Sequence, residues 1–410
     1  MLFRSYVRDG AMDVALEPGD YLVTVSRGVR YEAVTEAVTI TSGADTALSA
    51  DLVPAYTVDG VVTIDAHSHA SPSGDGGIPM ADRVLVAAAN GIDVHVGTDH
   101  DHIADYRPLI PAMGLDAWVK SVVADEVSPV LRGHFNIYPA TLTADLPNHG
   151  APRWWFGYLD TAEIFSWMRA NVGESGIVQA NHPVGSSGMF SFAGYDANGS
   201  YDSPDHWSDD FDAMELLNSD DYTDNLPYYL DLVRRGKQVT PTGVSDSHTH
   251  TGGNVGLNLT FLHTGGALAD FDDTALTTAM AARATVVSHG PFIDARIDGA
   301  WSPGAEVAGG SMLEVEVKAP SWMPVETLEL YRDGDVVETV TCTGKAPTPC
   351  AASFTLDPDA DATYVLIASG TSGMTAVFPG QLPWAATSAI YVDADGDGWT
   401  APMAPVESGG

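Results

Sequence analysis

Residues 1 to 58 alternate apolar and polar positions in short runs, "YLVTVSRG", "YEAVTEAVTIT" and "TALSADLV", broken by "EPGD" and "SGAD". A period of two bounded by Gly, Pro and Asp predicts strands, hence a small β-domain that starts abruptly and reads as truncated. From 59 to 299 the pattern changes. Apolar strand-like runs such as "VVTIDAHSH", "IDVHVGTDH", "GIVQANHP" and "QVTPTGVSDSH" alternate with helical stretches such as "MADRVLVAAANG" and "NLPYYLDLVRRG". That order predicts an α/β domain built on a largely parallel sheet, open or closed. Asp160 with Glu163 forms a capping-box pattern ahead of Ile164, Phe165, Met168 and Val172, which share one helical face before Gly173. From 300 to 410 the period of two returns in "SMLEVEVKA", "ETLELYRDGDVVETVTC" and "ATYVLIASG", predicting a C-terminal β-sandwich with an acidic tail.

Charge narrows the function classes. The 410 residues carry 55 acids against 18 basic residues, a formal net charge of −37. Such a chain repels phosphate backbones and anionic lipid surfaces, which excludes nucleic acid and points to a small-molecule substrate. The acids are spread along the chain, as on the hydrated surface of a secreted or salt-adapted protein. No run is long and apolar enough to span a bilayer, and "MLFRSYVRDG" lacks the apolar core of a signal peptide. Cys342 and Cys350 flank the turn-like "TGKAPTP", a placement that suits a hairpin-closing disulfide, with two buried thiols as the alternative. A disulfide places the chain outside the cytoplasm, with any export signal missing from this sequence.

The candidate chemistry is concentrated. All 13 histidines lie between His67 and His289. They cluster where apolar strands end: "VVTI" runs into Asp65, His67 and His69, "IDVHVGT" into Asp99 and His100, "GIVQAN" into His182, and "QVTPTGV" into Asp246 and His248. In a β/α barrel those ends converge on one rim, where active sites are built. Imidazole and carboxylate donors suit Zn²⁺, Mn²⁺ or Fe²⁺, and their number exceeds what one tetrahedral ion accepts. More than one divalent ion, zinc foremost, is expected.

The ordered set "DAHSH", "GTDH", "DEVSPVLRGHFNIYP", "NHP", "MELLN", "SDSH" and "VVSHGPF", spread over residues 61 to 299, resembles the polymerase and histidinol phosphatase (PHP) superfamily, and within it the carbaryl-hydrolase branch, CehA/McbA. The resemblance implies a distorted seven-stranded β/α barrel with up to three metals. On that pattern His67, His69, Glu126 and Asp246 hold one ion; Glu126, as a bridge, holds a second with His134 and His182; Asp75, His100 and His248 hold a third. Relatives often carry an arginine after "SDSH", where this chain reads "GGNVGLNLTFLH". The phrase "LEPGDYLVTVSRG" resembles carboxypeptidase-regulatory-like β-modules of secreted proteins.

Other residues have two readings. Asp65, and Asp99 with it, would orient a ligand imidazole. Glu215 would position water or hold a loop. His102, His250 and His289 are either general acids or hydrogen-bonded structural histidines. His95 reads as a core residue, and His149, His206 and His263 have no ligand context. Trp154, Trp155 and Phe156 wall a pocket or simply pack. Asp393, Asp395 and Asp397 resemble the start of a calcium loop, but its twelfth position is Ala404, so an acidic turn is the alternative. The mechanism expected is hydrolysis by a metal-bridging hydroxide, since ions lower the pKa of bound water toward about 7. With only Lys120 and Lys237 for lysines in the barrel region and arginines such as Arg107 and Arg153 scattered, an ester, amide or carbamate ranks ahead of a phosphoester. A secreted binding or adhesion protein with a structural metal barrel is the rival class.

Overall fold

The computed structural model describes residues 4–152, 159–219, 222–374 and 377–409. Strands β1 (Gly19–Val25) and β2 (Val34–Ile40) pair antiparallel as a two-stranded sheet of their own. Val29 and Tyr56 nearby are buried in the same apolar core as Val84 and Ile92 of the following region.

The α/β region begins with β3 (Val61–Ser68), buried along its whole length, and α1 (Met80–Ala89). β4 (Val94–Gly97), β5 (Lys120–Val123), β6 (Asp125–Val127) and β7 (Phe135–Tyr138) follow. Next come α2 (Thr161–Val172), β8 (Ile177–Ala180), β9 (Ala213–Asn218), α3 (Tyr222–Arg234) and β10 (Thr240–Val244). β11 (Asn258–His263), α4 (Asp273–Ala281) and β12 (Thr285–His289) close the region. Helix α2 starts on the expected capping box: the Asp160 carboxylate accepts from Glu163 N at 2.8 Å, and Asp160 N donates to Glu163 Oε2 at 3.1 Å. It ends at Gly173, whose φ of 75° lies where glycine carries no Cβ penalty. Ile164, Phe165 and Met168 are buried beneath it.

The architecture is mixed α/β, but the hydrogen-bonded ladders among the described residues do not close into the seven-stranded barrel that the resemblance implies. One sheet has the order β10-β9-β8-β7-β6; the other runs β12-β11-β3-β4-β5. β11 and β12 are antiparallel to their neighbours, as are β6 and β7, so the sheets are mixed rather than parallel. Side chains stitch the seam. Thr260 Oγ1 bonds both Gly243 N and Gly243 O, Asn258 Nδ2 donates to Val244 O, and Thr285 Oγ1 donates to Pro241 O. Main chains approach so closely there that a Cβ on Gly243 would stand 2.6 Å from Leu259 O. Side-chain hydroxyls thus hold the place where a ladder would close a barrel. At the rim the sheets are linked by two isolated bridges among the described residues, Ser68 with Ser247 and His100 with Glu126.

The β-rich remainder contains β13 (Phe292–Ile297), β14 (Ser311–Lys318), β15 (Thr327–Arg332) and β16 (Asp335–Thr341). It continues with β17 (Cys350–Leu356), β18 (Ala362–Ser369), β19 (Trp384–Thr387) and β20 (Ile390–Asp393). Strand β14 buries Leu313, Val315 and Val317 and exposes Glu314 and Glu316, the alternation of a half-buried strand. β19 pairs with β12, so the second sheet runs on through β19 and β18 into this region. Cys342 and Cys350 form a disulfide. No helix among the described residues is long and apolar enough to cross a membrane.

Candidate metal centre

The first strand carries the geometry. On a strand, side chains two apart share a face, and the rings of His67 and His69 turn their Nε2 atoms to within 3.1 Å of each other. Asp246 Oδ1 lies 3.3 Å and 3.1 Å from the two nitrogens, and the Glu126 carboxylate oxygens lie 3.3 Å and 3.4 Å from them. Donors held about 2.1 Å from a tetrahedral ion stand about 3.4 Å from one another. These residues therefore fit a divalent metal. Glu126 Oε2 gives a second sign, being buried without a hydrogen-bond donor although His100 Nδ1 is 2.6 Å away. A buried carboxylate oxygen in that state has a large cost unless a cation meets it.

Two further groups adjoin. His100 and His134 gather with Glu126, and His69, Asp75, His100 and His248 gather on the outer side. Asp75 Oδ2 is 3.4 Å from His100 Nε2 and 3.2 Å from His248 Nε2. His182 stands beside the second group, its Nε2 3.6 Å from Glu126 Oε1 and its ring 5.1 Å from that of His134. His100 presents Nδ1 toward Glu126 and Nε2 toward Asp75, which makes it shared where the resemblance implies a ligand of the outer ion alone.

Electrostatics follow from this crowding. Burial disfavours charge on His67, yet Asp246, Glu126 and Glu215 outweigh it and raise the imidazole well above its ordinary range. Burial likewise opposes ionisation of Glu126, while His67, His100 and His134 hold it well below the usual carboxylate range. His69 is pushed down to about 4, chiefly by burial. His100 rises to about 9 because Glu126 overcomes its burial. Asp246 and His182 adopt left-handed φ of 47° and 28°, strain that side-chain residues tolerate where the surroundings fix them.

Glu215 touches the candidate ligands His67 and His182 and not the space between the gathered donors. Its Oε1 meets His67 Nδ1 at 2.6 Å and accepts from Gln179 Nε2 at 3.2 Å; its Oε2 accepts from His182 N at 2.5 Å and Asn218 Nδ2 at 2.9 Å. It fixes the His67 tautomer so that Nε2 faces the centre. Asp65, expected in that role, instead ties two strand ends together: its oxygens accept from His67 N, Ser245 N and Ser245 Oγ. Asp99 accepts from Ala70 N, Ser73 N and Tyr106 Oη, fastening the first-motif loop. Burial raises both acids to about 6.

His102 and His250 lie outside the gathered groups. His102 sets its ring edge-on to His149 at 5.1 Å, and exposed His250 pairs with Asp82 at 3.1 Å. His289 is buried between Asn258 and Gln381. His95 packs on Tyr106, with Nδ1 3.2 Å from Ser121 Oγ. Arg153, Trp154, Trp155 and Phe156 fall outside the described residues. In the C-terminal region Asp393 and Asp395 gather with Asp361 rather than with Asp397.

Sequence reasoning missed the neutral supports. Asn181 Nδ2 donates to Glu126 Oε1 at 3.0 Å and Asn218 Nδ2 to Asp246 Oδ2 at 3.1 Å. Buried Arg83 of α1 donates to His69 O, Ser247 O and Ser247 Oγ, clamping the two strand ends that meet at the rim. The asparagines sit at strand ends, the position that singled out the histidines. Arg83 lies mid-helix, and nothing in its sequence context marks it.

No family model and no curated protein matches the chain. Among solved structures it is similar to a two-domain protein from Bacteroides vulgatus ATCC 8482 described as containing a predicted PHP-like metal-dependent phosphoesterase, at 14% identity over 82% of this chain and 95% of that one, TM-score 0.43. It is also similar to a CARDB domain from Pyrococcus furiosus, at 20% identity over 26% of this chain and 97% of that one, TM-score 0.19.

Proposed function

We propose that the chain is a metal-dependent hydrolase of the PHP type acting on phosphoesters, with two or three divalent ions, zinc foremost, held at the rim. The observation that carries the reading is the approach of His67 Nε2, His69 Nε2, Asp246 Oδ1 and Glu126 within 3.1–3.4 Å, with two adjoining donor groups. Divalent ions bound there would make water a nucleophile at neutral pH and draw charge from the scissile phosphoryl oxygen. The chain's own residues do the positioning. Glu215 keeps His67 Nε2 inward, Asn181 and Asn218 aim the Glu126 and Asp246 carboxylates, and Ser73 Oγ holds Asp75 at 2.8 Å.

The scarcity of lysine and arginine does not count against a phosphoester. Three divalent ions carry twice the charge of Asp75, Glu126 and Asp246, so the filled centre is cationic without them. The same scarcity favours a second reading, a neutral ester, amide or carbamate, which the CehA/McbA-like motifs also suggest. We read the chain as three modules, 1–58, 59–299 and 300–410, working outside the cytoplasm, a placement with which the Cys342–Cys350 disulfide agrees.

The test is a panel of aryl phosphates, naphthyl esters and carbamates, run with metal-loaded chain and again after chelation. Chelator-sensitive turnover of aryl phosphates supports the proposal, and turnover confined to esters or carbamates replaces it with the second reading. No turnover on any of them, with metal retained, overturns both in favour of a binding or adhesion protein.

A further inference from the structure

An open cleft of about 370 Å³ is lined by Arg4, Thr251, Asn254, Phe378, Pro379 and Gln381. Three distant parts of the chain build it. Its wall is continuous with the rim: Asn254 Nδ2 donates to Ser219 O, and the neighbouring Asn218 binds Asp246. Gln381 Oε1 meets His289 Nε2 at 3.0 Å, His289 Nδ1 meets Asn258 Oδ1 at 2.5 Å, and Asn258 Nδ2 donates to the same Ser219 O at 2.7 Å. Tyr6 Oη donates to His250 O at 2.7 Å, which ties the segment carrying Arg4 to the loop that follows His248.

The lining has a cation and no acid, in a chain where acids outnumber basic residues about threefold. Arg8, Arg30, Arg107, Arg169, Arg234, Arg235 and Arg296 each pair with an aspartate. Arg4, like Arg27, Arg83, Arg132, Arg283 and Arg332, forms no ion pair among the described residues; its Nη2 donates to Val377 O at 3.1 Å and its guanidinium rests 5.7 Å from the Phe378 ring centroid. That seating holds the fork in place while leaving donors for a ligand. Amide and hydroxyl groups of Asn254, Gln381 and Thr251 edge the same space. A guanidinium fork among neutral polar groups is the chemistry that recognises an oxyanion.

Resting on the phosphoester reading above, we propose that this cleft binds a second acidic group of the substrate, a carboxylate or phosphate remote from the bond that is cleaved, with Arg4 as its main contact. The substrate class is then a phosphoester bearing another anionic function.

The experiment compares the metal-loaded chain with its Arg4→Gln variant, and uses Arg8→Gln, which alters an exposed pair with Asp9, as control. First, with the metal centre saturated by inorganic phosphate, benzoate is titrated calorimetrically. Arg4→Gln weakens its binding about tenfold, the scale of one charge-assisted hydrogen bond from an exposed side chain, and Arg8→Gln does not. Second, the ratio of kcat/KM for 4-carboxyphenyl phosphate to that for phenyl phosphate falls about tenfold in Arg4→Gln. The bisphosphate of hydroquinone in place of the carboxylate tells which acidic group is preferred. No benzoate binding, or affinity and selectivity unchanged by Arg4→Gln, overturns the cleft whatever the chain hydrolyses. Arg4-dependent benzoate binding without phosphoester turnover keeps the cleft and overturns only the phosphoester reading.

Discussion

Among the described residues, two places gather carboxylates at ligand spacing, and they differ in what those carboxylates already do. At the rim, Glu126 is fully buried with one oxygen lacking a donor, and the Nε2 atoms of His67 and His69 face each other. At the turn near the C-terminus, Asp361 accepts from Ala394 N, Thr400 N and Thr400 Oγ1, and Asp393 accepts from Gly396 N and Gly398 N. The turn satisfies its acids with its own backbone, as Asx-type loops do. The rim leaves its donors aimed at a shared space that a cation would complete. Spacing alone does not separate the two; burial and the state of each lone pair do.

The comparison breaks most sharply at Glu126, which lies near imidazoles of both inner groups. Glu126→Gln is expected to strip metal from the rim, measured by elemental analysis, and to lower turnover by about three orders of magnitude, equivalent to the several kcal/mol that a bound ion contributes. Asp393→Asn, made for contrast, should leave both unchanged. An equal loss in the two variants would erase the distinction. A smaller effect is expected at Glu215, where Glu215→Gln should weaken metal binding by roughly 10- to 100-fold through the His67 tautomer while leaving the ligands present. Unaltered affinity by competition with a chelating dye would reassign Glu215 to folding alone.

Acid response sharpens the contrast within the α/β region itself. Burial pushes His95 down to about 3, so between that value and about 6.5 the unfolded chain binds a proton that the folded chain refuses. The contribution of His95 to stability is full above about pH 6.5 and is lost as pH falls. Urea midpoints at pH 7 and pH 4 should therefore differ less in His95→Gln than in the unaltered chain, and an identical pH slope would show that the histidine is solvated. The smallest effect is expected at the turn: Asp361→Ala should cost about 1 kcal/mol by removing its backbone bonds, with metal content unchanged.

Much of the rim was legible because His67, His69, His100, His182, Asp246 and His248 lie at or just past the ends of apolar strands. "VVTIDAHSH" places His67 and His69 on one face by period alone, and the order of the later motifs places Asp246 and His248 near them. The partition of donors was less legible. His100 turns a nitrogen to each of two groups, and which nitrogen faces which carboxylate depends on a side-chain rotation that no spacing encodes. The open seam was illegible for a related reason. Thr260, Thr285 and Asn258 look like ordinary strand residues, yet their side chains take the place of ladder hydrogen bonds at the seam.

By itself the sequence determined the local elements, such as the capped helix at Thr161–Val172 and the alternation of β14, since these depend on neighbours a few positions apart. Only the tertiary structure decided which acid orients His67, how Arg83 clamps two strand ends, and that Arg4 and Gln381 line one cleft. Those relations join residues tens to hundreds of positions apart, and the exclusion of water that gives them their strength exists only once the chain has packed.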